Sequence, residues 1–352
     1  MLHKWWGVGL VVVLGLVWLA LGEQPRAASM EAAGEAAVLA PLPLKVAQQT
    51  APAPAPGAPA SEPQPAPEPA RAPEAAESEA IRCALELRAA GNEAGATEAL
   101  RQCIRQAATV EQAARAGLFL APSVADPAEQ RQYYSAALEA GVVRGEEYEQ
   151  VGAALRELNR QPAASLQPLV PTESYVVASG DSLWKLCNRT IPERFGVTPE
   201  VGLLRIVNGL RSDSLTVGKA LKVPRQPLVV RVDSKQLGLT AWLGDVAVAA
   251  YRVGLGKDDK TPRRTFTVEV KQENPAWFYA GRTIPHGDPE NILGSRWLGF
   301  DKQENASGFG IHGTTLPDSI GRNESMGCVR MRNAEVEELF DLVPRGTQVI
   351  IF

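Results

Sequence analysis

Ile311-His312-Gly313-Thr314 and Ser325-Met326-Gly327-Cys328-Val329-Arg330-Met331 decide how the C-terminal part of this chain is read. His312 and Cys328 stand sixteen positions apart, each beside a glycine. A thiol becomes a nucleophile when a nearby imidazole draws off its proton or stabilises the thiolate. Glycine lets the backbone come close to a substrate or adopt a φ that a β-carbon resists. The 325–328 segment offers backbone N–H groups to a developing oxyanion. Taken singly, a cysteine is most often a small buried hydrophobe, and a histidine a satisfied core or surface residue. The pairing in one short, glycine-marked stretch favours chemistry. Of the three histidines, His3 belongs to the N-terminal apolar segment, which leaves His286 and His312.

Upstream of this stretch the texture is that of strands. Leu239 to Leu243, a Gly244-Asp245 turn and Val246 to Tyr251 predict a β-hairpin. Thr265 to Val270 and Thr347 to Phe352 predict further strands. Asn333 opens a helix with Val336, Leu339, Phe340 and Val343 on one face, and Pro344 stops it. Residues 228–352 thus read as a mostly-β domain with one well-marked helix.

His-Gly-Thr, Gly321 and Ser-x-Gly-Cys-Val-Arg-Met resemble the signature of the L,D-transpeptidase, or YkuD, catalytic domain. Val253-Gly254-Leu255-Gly256-Lys257 with Lys260-Thr261-Pro262, and Gly287-Asp288-Pro289 with Leu293 to Phe300, extend the resemblance over residues 228–352. The resemblance implies Cys328 as nucleophile, His312 as its proton acceptor and the Gly313 carbonyl as the group that orients the imidazole. Arg330 matches the arginine of the family motif, a guanidinium fork that either takes a substrate carboxylate or makes an ion pair that shapes the loop; Ser325 and Gly327 are expected beside it at the substrate, and Trp297, like Arg296, is expected to be structural or to line the groove. Ser325 is expected to bond the local backbone rather than react. His286 matches no catalytic position and is expected to line the groove. The implied reaction is acylation of Cys328 by a diaminopimelate-type peptidoglycan stem peptide, release of D-alanine, and transfer of the thioester to a second amine. It needs no cofactor and no metal. An L,D-carboxypeptidase would use the same residues, with water as acceptor. A non-catalytic wall-binding scaffold would have no need of both His312 and Cys328. Whether the acceptor is a stem peptide or a protein stays open. One departure concerns Thr261-Pro262, which leads into Arg263-Arg264 where the family usually has a glycine. That predicts a different local turn.

Residues 174–224 resemble a LysM glycan-binding module, a small α+β unit of βααβ order. Tyr175-Val176-Val177 predicts a strand, Gly180-Asp181-Ser182-Leu183-Trp184 a helix start, and Val217 to Pro224 the return strand. Thr198-Pro199 predicts the start of the second helix, with Asn208-Gly209-Leu210 as its end. Asn188 to Gly196 reads as an unusually long segment between the helices. The implied ligands are N-acetylglucosamine-containing strands such as peptidoglycan.

Residues 79–162 are rich in Ala, Glu, Leu, Gln and Arg, with apolar residues three and four apart, and predict four or five helices in antiparallel hairpins. This α-helical hairpin domain reads either as a surface for a protein partner or as a spacer. Cys83 and Cys103 fall on neighbouring predicted helices, where an oxidising compartment would favour a disulfide; Cys187 is then a buried thiol. Residues 23–78 form an Ala/Pro-rich linker that cannot build a core. Residues 5–22 carry no charge and read as an uncleaved membrane anchor in preference to a cleaved signal. Either way the chain is expected in the bacterial envelope or periplasm. A net charge of -4 without a basic stripe speaks against nucleic-acid binding. The fold class is therefore multidomain: helical hairpins, a LysM module and a mostly-β catalytic domain.

Overall fold

The computed structural model describes residues 78–161, 166 and 169–352. The apolar run 5–22 and all but the last residue of the Ala/Pro segment lie outside them. Among the described residues no helix is long and apolar enough to cross a membrane.

The helical region holds α1 (Glu79–Ala89), α2 (Glu93–Gln106), α3 (Val110–Leu120), α4 (Pro127–Glu139) and α5 (Glu147–Arg160). Four of these starts carry a side-chain cap: Ser78, Asn92, Thr109 and Asp126 each accept a hydrogen bond from a first-turn N–H. Pro127 sits at the first helical position, where its missing N–H costs nothing. The disulfide expected between Cys83 and Cys103 is not formed, and both thiols are free. Cys83 is exposed to solvent, whereas Cys103 packs against the cluster of Ile81, Leu100 and Leu120.

The next module begins with β1 (Thr172–Val176). A helical stretch follows, made of α6 (Leu183–Lys185), a π-helical turn (Leu186–Thr190) and α7 (Ile191–Phe195). The segment expected to lie between helices is thus mostly helical. The wide π turn admits the extra residues, Asn188 Nδ2 bonds the Trp184 carbonyl at 2.8 Å, and Pro192 falls in the first turn of α7. Gly196, at φ 70°, ends it. The second helix, α8 (Val201–Asn208), starts after Thr198-Pro199 rather than on it. Glu200 occupies its cap position, but the Glu200 carboxylate reaches Lys271 instead of the helix end. β2 (Ala220–Pro224) pairs antiparallel with β1, and the Asn208 amide bonds both the N–H and the C=O of Lys222.

The C-terminal domain is built from β3 (Leu228–Asp233), β4 (Gly238–Leu243), β5 (Val246–Arg252), β6 (Leu255–Gly256), β7 (Thr265–Glu273), β8 (Trp277–Tyr279), β9 (Arg282–Ile284), β10 (Arg296–Phe300), β11 (Gly310–His312), β12 (Asn323–Ser325), β13 (Val329–Arg330), α9 (Asn333–Leu342) and β14 (Gln348–Ile351). Eight strands form one sheet in the order β13-β11-β10-β7-β14-β3-β4-β5. The sheet curls until its ends meet: beyond β5, Gly254 exchanges hydrogen bonds of 2.8 and 2.9 Å with Arg330 of β13. Within the curl lie Val230, Leu239, Phe266, Leu298, Ile311 and Val349, together with Val336 and Leu339 of α9.

Both upstream regions share cores with this sheet. Leu203 and Val207 of α8 belong to the main apolar cluster, while Leu204 belongs to the module's own. Gly202 lies so close to α9 that a β-carbon there would stand 2.4 Å from the Asp341 carbonyl oxygen. On the other side, α4 and α5 cover β5 and bury Trp242, Ala247 and Ala250. A sheet edge exposes unpaired N–H and C=O groups. Here Ser135 Oγ accepts from Ala247 N–H, Arg131 donates to Ala247 O, and Asn159 donates to Val248 O. Arg131 is fully buried, and desolvation alone pushes its guanidinium down to about 9. Of the helical region, read as a spacer or a partner surface, the α4–α5 face is occupied by the molecule's own sheet.

Candidate active site

β11 and β13 run parallel, with Ile311 opposite Val329 and His312 opposite Arg330. Side chains alternate along a strand, so Gly310 and His312 share a face with Arg330 and with Cys328, one residue before β13. That register brings the histidine and the cysteine of the motif together although sixteen residues separate them.

His312 is 2% exposed. Its Nδ1 lies 2.5 Å from the Gly313 carbonyl oxygen, which can only accept. The proton is therefore on Nδ1, and Nε2 is the free base. Burial pushes the imidazole down to about 4, assisted by the Arg330 guanidinium and opposed by the carbonyls of Gly313 and Leu293. His312 is neutral near neutral pH.

Cys328 is half-buried, with Sγ 3.8 Å from the Gly308 carbonyl. Burial pushes its thiol up to about 11, against the Gly310 N–H and Arg330, which favour the thiolate. The resting pair is thus thiol and imidazole rather than thiolate and imidazolium.

The loop before Cys328 is held from within. Ser325 Oγ donates to the Cys328 carbonyl at 2.7 Å and accepts from Gly327 N–H at 3.0 Å. Gly327 adopts φ 132°, and a β-carbon there would stand 2.4 Å from the Phe309 ring. With the Gly327 N–H engaged by Ser325, the Cys328 N–H remains among the donors this loop can offer. Thr261 Oγ1 accepts from Gly256 N–H at 2.7 Å and braces the strand behind Gly327. Just before Thr261, Asp258 and Asp259 take positive φ, whereas Arg263 and Arg264 after it do not.

Trp297 lies opposite His312, with ring centroids 5.9 Å apart. Its indole fits a slot floored by Gly299 and Gly310, at either of which a β-carbon would collide with it. Arg330 is 8% exposed and has no ion-pair partner among the described residues. His286 is exposed, in the turn after β9. Among the described residues no cluster of His, Cys, Asp or Glu is arranged to hold a metal ion.

Two asparagines were not singled out from the sequence. Asn291, 3% exposed, donates to the carbonyls of Pro275, Ile284 and Pro285 and accepts from Leu293 N–H, knotting the β8–β9 excursion beside His312. Asn333 accepts from Ser295 N–H at 3.2 Å and packs against Gly313. For Asn333 the available signal was spatial: Gly294 and Gly313, which it contacts, look unexplained until the sheet is closed.

The YkuD family model, the L,D-transpeptidase catalytic domain, matches residues 227–351, and the LysM domain model matches residues 175–224. YqjB of Bacillus subtilis, named as an L,D-transpeptidase, is 43% identical over 131 residues, which cover 37% of this chain and 73% of that protein. YkuD of the same organism, likewise named, is 32% identical over 187 residues, covering 51% of this chain and 98% of that protein. A solved L,D-transpeptidase from Mycobacterium smegmatis aligns over 39% of this chain and 64% of its own, at 20% identity and a TM-score of 0.30. With a catalytic-domain match that runs through His312 and Cys328, and with relatives 43% and 32% identical covered over 73% and 98% of their lengths, this chain belongs to the L,D-transpeptidase (YkuD) family.

Proposed function

We propose that this protein is a peptidoglycan L,D-transpeptidase that cross-links stem peptides through a thioester on Cys328. What supports the reading above all is a neutral His312, its Nδ1–H committed to the Gly313 carbonyl, on one sheet face with Cys328. As Sγ attacks the amide carbonyl before the terminal D-alanine, His312 Nε2 takes the thiol proton and the new S–C bond leaves an oxyanion. The Cys328 N–H is placed to receive that charge. The C–N bond then breaks, and D-alanine leaves with the proton from His312. The side-chain amine of a second stem peptide attacks the thioester, its proton passes to Nε2, and the thiol is restored on departure. The energy of the first amide is kept in the thioester, so no other energy source enters. Arg330, buried and without a carboxylate of its own, is the group to hold a substrate carboxylate. The LysM module binds the glycan strands, and residues 5–22 anchor the protein at the membrane of the cell envelope.

The test is incubation of the full chain with purified muropeptides, with mass spectrometry of the products. Cross-linked dimers with loss of D-alanine are expected, and Cys328→Ala is expected to abolish both. Trimmed monomers without dimers would instead identify a carboxypeptidase. Turnover retained by Cys328→Ala would refute the mechanism.

A further inference from the structure

Gly313 and Gly294 share one neighbour. A β-carbon on Gly313 would stand 2.1 Å from Asn333 Oδ1, and one on Gly294 2.2 Å from the same atom. The amide of Asn333, the first residue of α9, therefore fills the space that both glycines leave open. From there Oδ1 accepts from Ser295 N–H. Gly313 N–H bonds the Arg296 carbonyl at 3.2 Å, and Met331 N–H bonds the His312 carbonyl at 2.9 Å. Those two bonds fix the His312–Gly313 peptide, and the next peptide, which carries the Gly313 carbonyl, lies against Gly294, where a β-carbon would stand 2.7 Å from both Gly313 C and Thr314 N. That carbonyl holds the His312 Nδ1–H.

We propose that Asn333 is a positioning residue for His312: its amide, seated in the gap left by Gly294 and Gly313, fixes the Gly313 carbonyl and so keeps Nε2 the free nitrogen. The inference rests on His312 acting as the base, but its central readout is the state of the imidazole and does not depend on turnover. An alanine at 333 empties the gap, frees the Gly313 peptide to tilt and lets the proton exchange between the two ring nitrogens. An aspartate keeps the shape and the Ser295 bond, suits a helix N-terminus, and sets a negative charge near the imidazole.

The experiment uses the full chain with 15N-labelled histidine. In the wild type at pH 7, the His312 nitrogen shifts should report protonated Nδ1 and bare Nε2. In Asn333→Ala the two shifts should move toward averaging, and iodoacetamide should capture the Cys328 peptide at an altered rate. In Asn333→Asp the tautomer should stay, while the His312 titration, near 4 in the wild type, should rise by about one pH unit. A folded Asn333→Ala protein with wild-type His312 shifts would overturn the proposal. If the alanine variant does not fold, Asn333→Asp decides: an unmoved titration overturns it and a raised one supports it. Loss of cross-linking in all assays with these shifts behaving as stated would refute the proposed function and leave the positioning role standing.

Discussion

The resting state of the Cys328–His312 pair sets the pH dependence of the thiol's reactivity. With the thiol near 11 and the imidazole near 4, their order is the reverse of that in a preformed ion pair. Transferring the proton before attack is uphill, because the site disfavours both the thiolate and the imidazolium. The proton must therefore move as the S–C bond forms. A reagent that fits no oxyanion donor and needs the free thiolate, such as iodoacetamide, meets only about one thiolate in 10,000 at pH 7. Its rate at Cys328 should rise close to tenfold per pH unit from about 7 to 10. Because Cys83 is exposed and will also react, modification should be followed by mass spectrometry of the peptide containing Cys328. A peptide-like electrophile that engages the site should acylate Cys328 with a rate nearly flat above about pH 5, falling only as His312 gains its proton near 4. An alkylation rate that is already level between pH 5 and 8 would reveal a standing thiolate–imidazolium pair and refute the reasoning.

Three further outcomes are expected. His312 is depressed from 6.5 to about 4 by burial, so unfolding takes up a proton between those values; stability is complete above about 6.5 and falls by about 3 kcal/mol as pH drops to 4. The stability gap between wild type and His312→Gln in urea titrations should change by that amount from pH 7 to pH 4, and a constant gap would refute it. Gly152→Val should lower stability by about 1–3 kcal/mol or more, because its β-carbon would stand 2.2 Å from the Ala250 carbonyl oxygen and lever α5 off β5; an unchanged melting temperature contradicts that packing. Ser325→Ala removes the partner of both Gly327 N–H and the Cys328 carbonyl and should reduce Cys328 acylation about 10–100-fold while the melting temperature moves little; unaltered acylation kinetics would show that the loop needs no such brace.

Much of the local structure could be read in advance because it is written in short-range chemistry. The β4–β5 hairpin follows from alternating apolar residues around Gly244-Asp245, and α9 from its apolar face and the stop at Pro344. The second LysM helix was placed too early because Thr198-Pro199 is a sound start by local rules, whereas Glu200 is drawn away by Lys271 on β7. Asn188 to Gly196 reads as a long inter-helix segment because a π turn leaves no periodic signature of its own. Whether Cys83 and Cys103 could pair was not decided by their spacing, because helix register sets the geometry a disulfide needs; both thiols are free.

The sequence by itself determined which residues are candidates for the chemistry: a thiol, an imidazole and a guanidinium stand in a glycine-marked motif that resembles the L,D-transpeptidase signature, and their identities do not depend on the fold. Only the tertiary structure decided how they meet and in what charge state. The parallel register of β11 and β13 puts His312 beside Arg330, and the curled sheet brings Gly254 onto the same strand. Burial then makes the pair neutral, since a low-dielectric site penalises imidazolium and thiolate alike. Gly313 and Gly294 show the same division. Each is an ordinary glycine in the sequence, and in each Asn333, distant along the chain, fills the place of the missing β-carbon, while Gly294 also takes φ 65°.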